Sequence, residues 1–207
     1  MKKIVLIFLA ICAIVFNVYA QNDIINGYSY VDLGLSVKWA TRNLGYSSHY
    51  SWGENDRKAT YHRNNCHTCD KRMSDISGNA SYDAARANWG GSWRIPTKAE
   101  MEELVTKCTW TWTTQRVWND ESGRSEETAG YKVTGPNGNS IFLPVTDGSV
   151  NASSLDFADK DAHGYYWTST PHFCSDGTAY ILIFNSSGYS VYSHQRHFGL
   201  AIRPVSD

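Results

Sequence analysis

Two cysteines and two histidines lie close together in a polar stretch, as Cys66-His67-Thr68-Cys69 with His62 just before them. Thiolate and imidazole groups can supply the tetrahedral ligand set that zinc prefers. No second ligand pair stands at a convincing spacing, and the order differs from the Cys-x-x-Cys-His pattern of haem attachment. We therefore expect no metal and no cofactor here, and we expect Cys66 and Cys69 to close a small disulfide loop.

The first twenty residues indicate in which compartment the protein folds, and the compartment decides whether these cysteines are expected to form disulfides. Lys2 and Lys3 precede an apolar run over residues 4–16, and Val18-Tyr19-Ala20 places tolerated residues at the −3 and −1 positions of a cleavage site. This order is typical of a secretory signal peptide. A membrane span needs about 20 apolar residues and would be interrupted by Asn17. We predict export, a folded domain over residues 21–207 and no transmembrane segment, with periplasm, cell surface and extracellular medium left open.

A lipoprotein signal is the alternative for the same segment, with Cys12 as the modified residue. It fits poorly, because the bulky Ile11 precedes Cys12 where a small residue is required, and the chain stays apolar afterwards. Cleavage before Gln21 is therefore the favoured interpretation.

Four cysteines remain after the signal: Cys66, Cys69, Cys108 and Cys174. An even number in an exported chain favours disulfides, and four cysteines allow three pairings between which the sequence does not choose. Our working expectation is Cys66–Cys69 with Cys108–Cys174. The net charge of −1 gives no electrostatic reason to expect nucleic acid as a partner.

Catalytic motifs are not recognisable among the histidines and serines. The run Gly90-Gly91-Ser92-Trp93 is not a nucleophile elbow. We therefore predict that the chain is not an enzyme.

Aromatic residues are the best functional signal, since tyrosine and tryptophan stack on sugar faces and dominate protein interfaces. Tyr189, Tyr192, His194 and Arg196 lie on or after a late strand and alternate with small polar residues. Together with His172 they are the predicted ligand-binding surface. The alternative for the same residues is an ordinary solvated sheet face.

Two helices and several short strands are predicted to position these groups. Thr97 and Glu100 form a capping box, and apolar residues at helical spacing follow, which predicts a helix over Lys98–Lys107. A shorter helix is predicted at Tyr82–Asn88, with Ser81 as its cap. The predicted strands are Tyr28–Leu33, Val37–Thr41, Thr109–Thr114, Tyr131–Thr134, Ser140–Val145, Tyr165–Thr168, Thr178–Phe184, Tyr189–Ser193 and Leu200–Val205. Thr178–Phe184 is apolar on both faces and is expected to be a central strand, whereas 47–77 and 147–163 are expected to be irregular.

Several runs in this chain match, in order, the motifs of one known family. They are Tyr30-Val31-Asp32-Leu33-Gly34-Leu35, Lys38-Trp39-Ala40-Thr41, Ser51-Trp52-Gly53-Glu54, Ala87-Asn88-Trp89-Gly90-Gly91-Ser92-Trp93-Arg94-Ile95-Pro96-Thr97-Lys98-Ala99-Glu100, Cys108-Thr109-Trp110-Thr111-Trp112, Gly130-Tyr131-Lys132-Val133-Thr134-Gly135-Pro136-Asn137-Gly138, Tyr166-Trp167-Thr168-Ser169-Thr170 and Ile202-Arg203-Pro204-Val205. They are spread in the family's order from Tyr30 to Val205, along nearly the whole of residues 21–207. By them the chain resembles the Fibrobacter succinogenes major paralogous (FISUMP) domain family, exported domains abundant in Bacteroidetes.

The resemblance implies an α+β domain of C-type-lectin-like fold, with two helices, antiparallel strands, and terminal strands paired near each other. Two features depart from the family pattern. Family members often carry cysteine where Arg42 stands, and the segment Gln115–Thr128 is longer and more charged than expected.

The tripeptide Trp118-Asn119-Asp120, within that longer segment, spells the one that supplies calcium ligands in many C-type lectins. Calcium requires six to eight oxygen ligands. The upstream Glu-Pro-Asn or Gln-Pro-Asp of those lectins is missing, and the tripeptide comes too early in the chain. We interpret it as coincidence.

The sequence thus predicts an exported, non-catalytic module of the cell envelope that binds a glycan or protein ligand. The first alternative is a structural cell-surface component without a small ligand. The second is an enzyme on a scaffold like that of the formylglycine-generating enzymes.

Overall fold

The structure is a computed structural model that describes residues 23–120, 122–146 and 162–207, together with two short strands at 149–150 and 153–154. The predicted signal peptide and most of 147–163 lie outside the described residues. Two α-helices are present, α1 Ala84–Trp89 and α2 Lys98–Lys107. The strands are β1 Asp23–Ile25, β2 Tyr28–Asp32, β3 Lys38–Ala40, β4 Thr109–Asn119, β5 Arg124–Thr134, β6 Ser140–Pro144, β7 Ser149–Val150, β8 Ser153–Ser154, β9 Gly164–Pro171, β10 Thr178–Asn185, β11 Gly188–Gln195 and β12 Val205–Ser206.

Four small sheets contain all of these strands, in the orders β1-β2-β3-β12, β11-β10-β9, β4-β5-β6 and β7-β8. Every pairing between the named strands is antiparallel. The predicted α+β class with two helices and antiparallel strands is therefore confirmed. Strand β12 pairs with β3, so the last strand of the chain joins the sheet of the first strands.

The longer helix begins and ends where the sequence predicts. The Thr97 hydroxyl accepts a hydrogen bond from the Glu100 amide, and the Glu100 carboxylate accepts one from the Thr97 amide. Arg94 holds the same carboxylate through two hydrogen bonds of 2.9 and 2.6 Å. Met101 and Leu104 are fully buried on the inner face. The capping box thus acts as a local signal that tertiary contacts reinforce.

The shorter helix differs from its prediction in both position and cap. It covers Ala84–Trp89, and its cap is Asp83 instead of Ser81. The fully buried Asp83 carboxylate accepts hydrogen bonds from the amides of Gly78, Arg86 and Ile95. A buried carboxylate is unfavourable unless it is hydrogen-bonded. The helix therefore begins after Asp83, where its carboxylate has three amide donors, instead of after Ser81.

The sheet β11-β10-β9 separates two hydrophobic cores. Ile181 of β10 faces the first core, which also contains Trp52, Trp93 and Trp167. Leu182 and Phe184 face the second core, which contains Leu33, Trp39, Met101 and Tyr166. The central position of β10 and its apolar residues on both faces agree with the prediction for Thr178–Phe184.

The predicted strand Leu200–Val205 is shorter in the structure. Only Val205–Ser206 forms a ladder, while Leu200 bridges to Tyr50 and Ala201 bridges to Tyr166. The chain passes from one sheet to another here, and Pro204 has no amide to donate. The predicted irregular segment 47–77 is confirmed, and its described helical content is one 3-10 turn at Arg63–Asn65.

The hairpin β4–β5 extends well beyond the predicted strand Thr109–Thr114. The two strands pair continuously from Thr109↔Thr134 to Asn119↔Arg124, whereas β6 covers β5 only over Gly130–Thr134. The described residues of 115–128, here named the arm, therefore project past the sheet as a two-stranded ribbon. They belong to Gln115–Thr128, the segment that the sequence singles out for its length and charge.

The described helices include none that is long and apolar enough to cross a membrane.

Candidate functional site

The five residues predicted to bind a ligand do not share one surface. Side chains alternate between the two faces of a strand. Tyr189 lies opposite Phe184 on the side of the second core and stacks on Trp110 with 4.3 Å between ring centroids. Tyr192 lies opposite Ile181, on the other side of the sheet.

The two predicted histidines are divided in the same way. His194 lies on the side of Tyr192, and its ring packs edge-on against Phe198 at 4.2 Å. His172 follows β9 and lies 5.3 Å from the ring of Tyr180, which shares the sheet face of Phe184. The sheet therefore separates His172 and Tyr189 from Tyr192 and His194.

Arg196 is the clearest correction, since it is buried and only 1% exposed. Its guanidinium lies 4.3 Å from the Trp52 ring and donates hydrogen bonds to the carbonyls of Thr68, Lys71 and Thr178. Burial lowers its pKa to about 10. Arg196 holds the segment around Cys69 against the end of β11, so its role is structural.

The cysteines satisfy one of the two expected pairings. Cys66–Cys69 is a disulfide in the structure. Cys108 and Cys174 are free thiols, so the expected bond between them is wrong. Cys108 caps the end of α2 and is half-buried just before β4, whereas Cys174 is exposed in the turn between β9 and β10. Burial raises the pKa of Cys108 to about 11, which keeps the thiol protonated and unreactive.

Metal coordination receives no support from the described residues, which contain no group of three or more His, Cys, Asp or Glu side chains able to hold an ion. The Trp118-Asn119-Asp120 tripeptide instead borders a pocket at the base of the arm. We name this cavity of about 250 Å³ the arm pocket. It lies between the arm and the loop that follows β3, and its lining is Thr41, Arg42, Asn43, Tyr46, Gln115, Arg116, Val117, Trp118, Asp120, Phe142, Pro144 and Arg203.

The apolar wall of the arm pocket depends on β6. Phe142 and Pro144 belong to β6, and Val117 belongs to the arm. The Phe142 ring lies over Gly130 of β5, where an added Cβ would be 2.9 Å from the ring and 2.2 Å from the Leu143 carbonyl. Glycine at position 130 therefore leaves the room that the Phe142 ring occupies against the ribbon.

Arg203 lies at the floor of the arm pocket and is only 2% exposed. It donates to the Asn43 side-chain oxygen at 2.8 Å and to the carbonyls of Ala40 and Phe142 at 3.0 and 2.9 Å. Burial lowers its pKa to about 10, so it remains charged at neutral pH. No carboxylate in the described part of the chain forms an ion pair with it.

Two polar contacts join the arm to the loop after β3. Arg42 pairs with Asp120 at 2.8 Å, and both side chains are about half exposed. The Tyr46 hydroxyl donates to Glu126 at 3.3 Å, and burial together with that carboxylate raises the pKa of Tyr46. These contacts position the rim of the arm pocket and leave Arg42 accessible to solvent.

Trp118 stands at the mouth of the arm pocket with 57% of its surface exposed. The alternation of side chains places it on the other face of β4 from Gln115 and Val117. The indole therefore flanks the mouth instead of filling the pocket. A ligand that extends from the pocket across β4, which is an edge strand, would reach it.

The residues of this site were outside the ligand-binding prediction, although two signals pointed to them. Arg42 stands where the family that the sequence resembles often has cysteine, and Gln115–Thr128 is long and rich in charge. The Arg42–Asp120 pair brings these two features together across 78 residues of chain.

No protein-family model, no curated protein and no solved structure matches this chain. A functional assignment therefore depends on the chemistry of the arm pocket itself.

Proposed function

We propose that this chain is an exported, non-catalytic glycan-binding module of the bacterial envelope, built on a C-type-lectin-like scaffold, with the arm pocket as its ligand site. The observation that carries the proposal is the arm pocket itself, with the exposed Trp118 indole at its mouth. The antiparallel α+β architecture and the pairing of β12 with β3 support the proposed scaffold.

A sugar ring has an apolar face and a rim of hydroxyl groups, so its site requires both an aromatic or aliphatic surface and fixed polar side chains. Val117, Phe142 and Pro144 supply the apolar wall. The Gln115 side chain forms no hydrogen bond with the described residues, so its amide group can donate to and accept from hydroxyl groups. Asp120 and Arg42 add an acceptor and a donor at the rim.

The arm pocket is large enough for one sugar ring, so the neighbouring sugars of an oligosaccharide would lie outside it. Its volume of about 250 Å³ lies just below the range of roughly 300–1,000 Å³ common for drug-sized ligands. A chain of sugars would place one unit inside and the next over the edge of β4, beside Trp118. Binding of a single free sugar is therefore expected to be weaker than binding of an oligosaccharide.

A glycan array followed by calorimetry with the best ligand tests the proposal. Trp118→Ala should weaken binding at least tenfold, because it removes the stacking surface from the mouth of the pocket. Tyr192→Ala is the matched control, since Tyr192 is 67% exposed and lies on the β11 sheet. A blank array would contradict the proposal, and so would loss of binding in Tyr192→Ala with none in Trp118→Ala.

A further inference from the structure

The charges around the arm pocket are unevenly distributed. Three arginines border it, Arg42, Arg116 and Arg203, whereas Asp120 is the one carboxylate among the described residues of its lining. Arg116 lies across the ribbon from Glu127 and, by strand alternation, on the other face of β4 from Gln115 and Val117. Arg42 and Arg203 are therefore the two cations that decide whether the arm pocket prefers a neutral or a negatively charged ligand.

Arg203 contributes a buried charge that forms no ion pair with a carboxylate of the described residues. It donates to a side-chain amide oxygen and two carbonyls, and the nearby Tyr166 hydroxyl is neutral because burial raises its pKa to about 12, so none of these groups carries a negative charge. A buried charge that lacks an opposite charge is unfavourable unless a partner is supplied. The arm pocket is the open space beside this guanidinium, so a negative ligand group there would be stabilised by it.

Arg42 contributes a charge that can change partners. Its bond to Asp120 joins two half-exposed side chains, and such pairs contribute about 0–1 kcal/mol to stability. A ligand carboxylate can accept the same guanidinium hydrogen bonds in a better-shielded position. The neighbouring acid Glu126 is already occupied, since Ser122, Asn119 and Tyr46 all donate to it and hold its pKa below the ordinary value.

We infer that the arm pocket binds the carboxylate of an acidic sugar, with Arg42 exchanging Asp120 for the ligand while Arg203 stabilises the negative charge from below. This inference rests on the proposed glycan-binding function and names the class of glycan. The apolar wall of Val117, Phe142 and Pro144 favours a ring over the extended chain of an acidic peptide.

The experiment is calorimetry on residues 21–207 with oligosaccharides of galacturonate, glucuronate, mannuronate and sialic acid, each paired with its carboxyl-reduced neutral form. At least one acidic oligosaccharide should bind tenfold or more tightly than its neutral counterpart. Poly-glutamate, which offers carboxylates without sugar rings, should bind at least tenfold more weakly than that oligosaccharide.

Three variants separate the roles of the charges. Arg42→Gln should strongly reduce the preference for the acidic form and leave only the part that is due to Arg203. Asp120→Asn should tighten binding of the acidic form by about threefold, because it frees Arg42 from its competing carboxylate. Arg124→Gln is the control, since Arg124 is an exposed arginine on the same hairpin but outside the pocket lining, and it should leave the preference unchanged.

Each contrary outcome has its own meaning. Equal affinity for acidic and neutral forms overturns this inference and leaves the proposed function standing, whereas failure of every glycan contradicts both. Poly-glutamate binding as tightly as the oligosaccharide overturns the assignment to sugars. An Arg124→Gln effect equal to that of Arg42→Gln, or weaker binding by Asp120→Asn, overturns the exchange at Arg42.

Discussion

Arg196 and Arg203 occupy similar places in two different halves of the molecule. Each is almost fully buried, each donates to three protein oxygens, and burial lowers the pKa of each to about 10. They differ in what lies beside the guanidinium. The ring of Trp52 covers Arg196 at 4.3 Å, whereas Arg203 faces the arm pocket.

This difference separates a cation that stabilises the fold from one that is available to a ligand. We call the surroundings of Arg196 the closed side, because the Trp52 ring, the carbonyls and the Cys66–Cys69 loop surround the charge. We call the surroundings of Arg203 the open side, because the guanidinium borders the arm pocket. The same residue type thus has two roles, which depend on whether protein atoms or a cavity complete its surroundings.

The largest effect is expected from Arg196→Met, which removes the hydrogen bonds from a buried guanidinium to the carbonyls of Thr68, Lys71 and Thr178. A hydrogen bond to a charged group contributes about 1.5–3 kcal/mol, so the free energy of unfolding should fall by about 3 kcal/mol or more. Urea denaturation measures it. Arg63→Met, which removes only an exposed pair with Asp70, should change stability by less than about 1 kcal/mol. Equal effects in the two variants would show that Arg196 is not structural.

The disulfide on the closed side gives the next effect. Replacing both Cys66 and Cys69 with serine should lower the free energy of unfolding by ~2 kcal/mol, because the loop they close is short. Glycan affinity should not change, since the arm pocket lies on the other side. A variant that kept its stability but lost binding would contradict the separation of the two halves.

Acid should destabilise the closed side through His194. Burial and the nearby His197 lower the pKa of His194 to about 4, and its Nδ1 accepts a hydrogen bond from the Gln195 amide. Between about pH 6.5 and pH 4 the unfolded chain takes up a proton that the native histidine does not, so stability falls as pH decreases. His194→Asn should flatten this dependence in thermal unfolding experiments. The same slope in both proteins would rule out His194 as its source.

The smallest effect on stability is expected on the open side. Arg42→Gln removes an exposed ion pair and the contacts of the guanidinium with the rings of Tyr28 and Trp89, and it should lower the free energy of unfolding by about 1 kcal/mol. Its effect should appear in ligand affinity instead. A loss comparable to that of Arg196→Met would mean that the Arg42–Asp120 contact supports the fold.

Local signals in the sequence predicted the elements of this fold better than its site. The Thr97–Glu100 capping box predicted α2 because both partners lie within one turn, and apolar residues on both faces identified the central strand β10. Strand alternation correctly described β11 but did not reveal that Arg196, one residue past its end, turns inward beneath Trp52. The arm pocket also could not be predicted from the sequence, because it depends on a contact between Arg42 and Asp120, which are 78 residues apart in the chain.

Nuclear magnetic resonance of the two buried arginine side chains tests the central claim most directly. Both Nε–H groups donate to protein acceptors, Arg196 to Thr178 and Arg203 to Asn43, so both should exchange slowly with water and give observable signals. On titration with an acidic oligosaccharide, the Arg203 signal should shift and the Arg196 signal should stay unchanged. A shift of Arg196 without one of Arg203 would contradict the account.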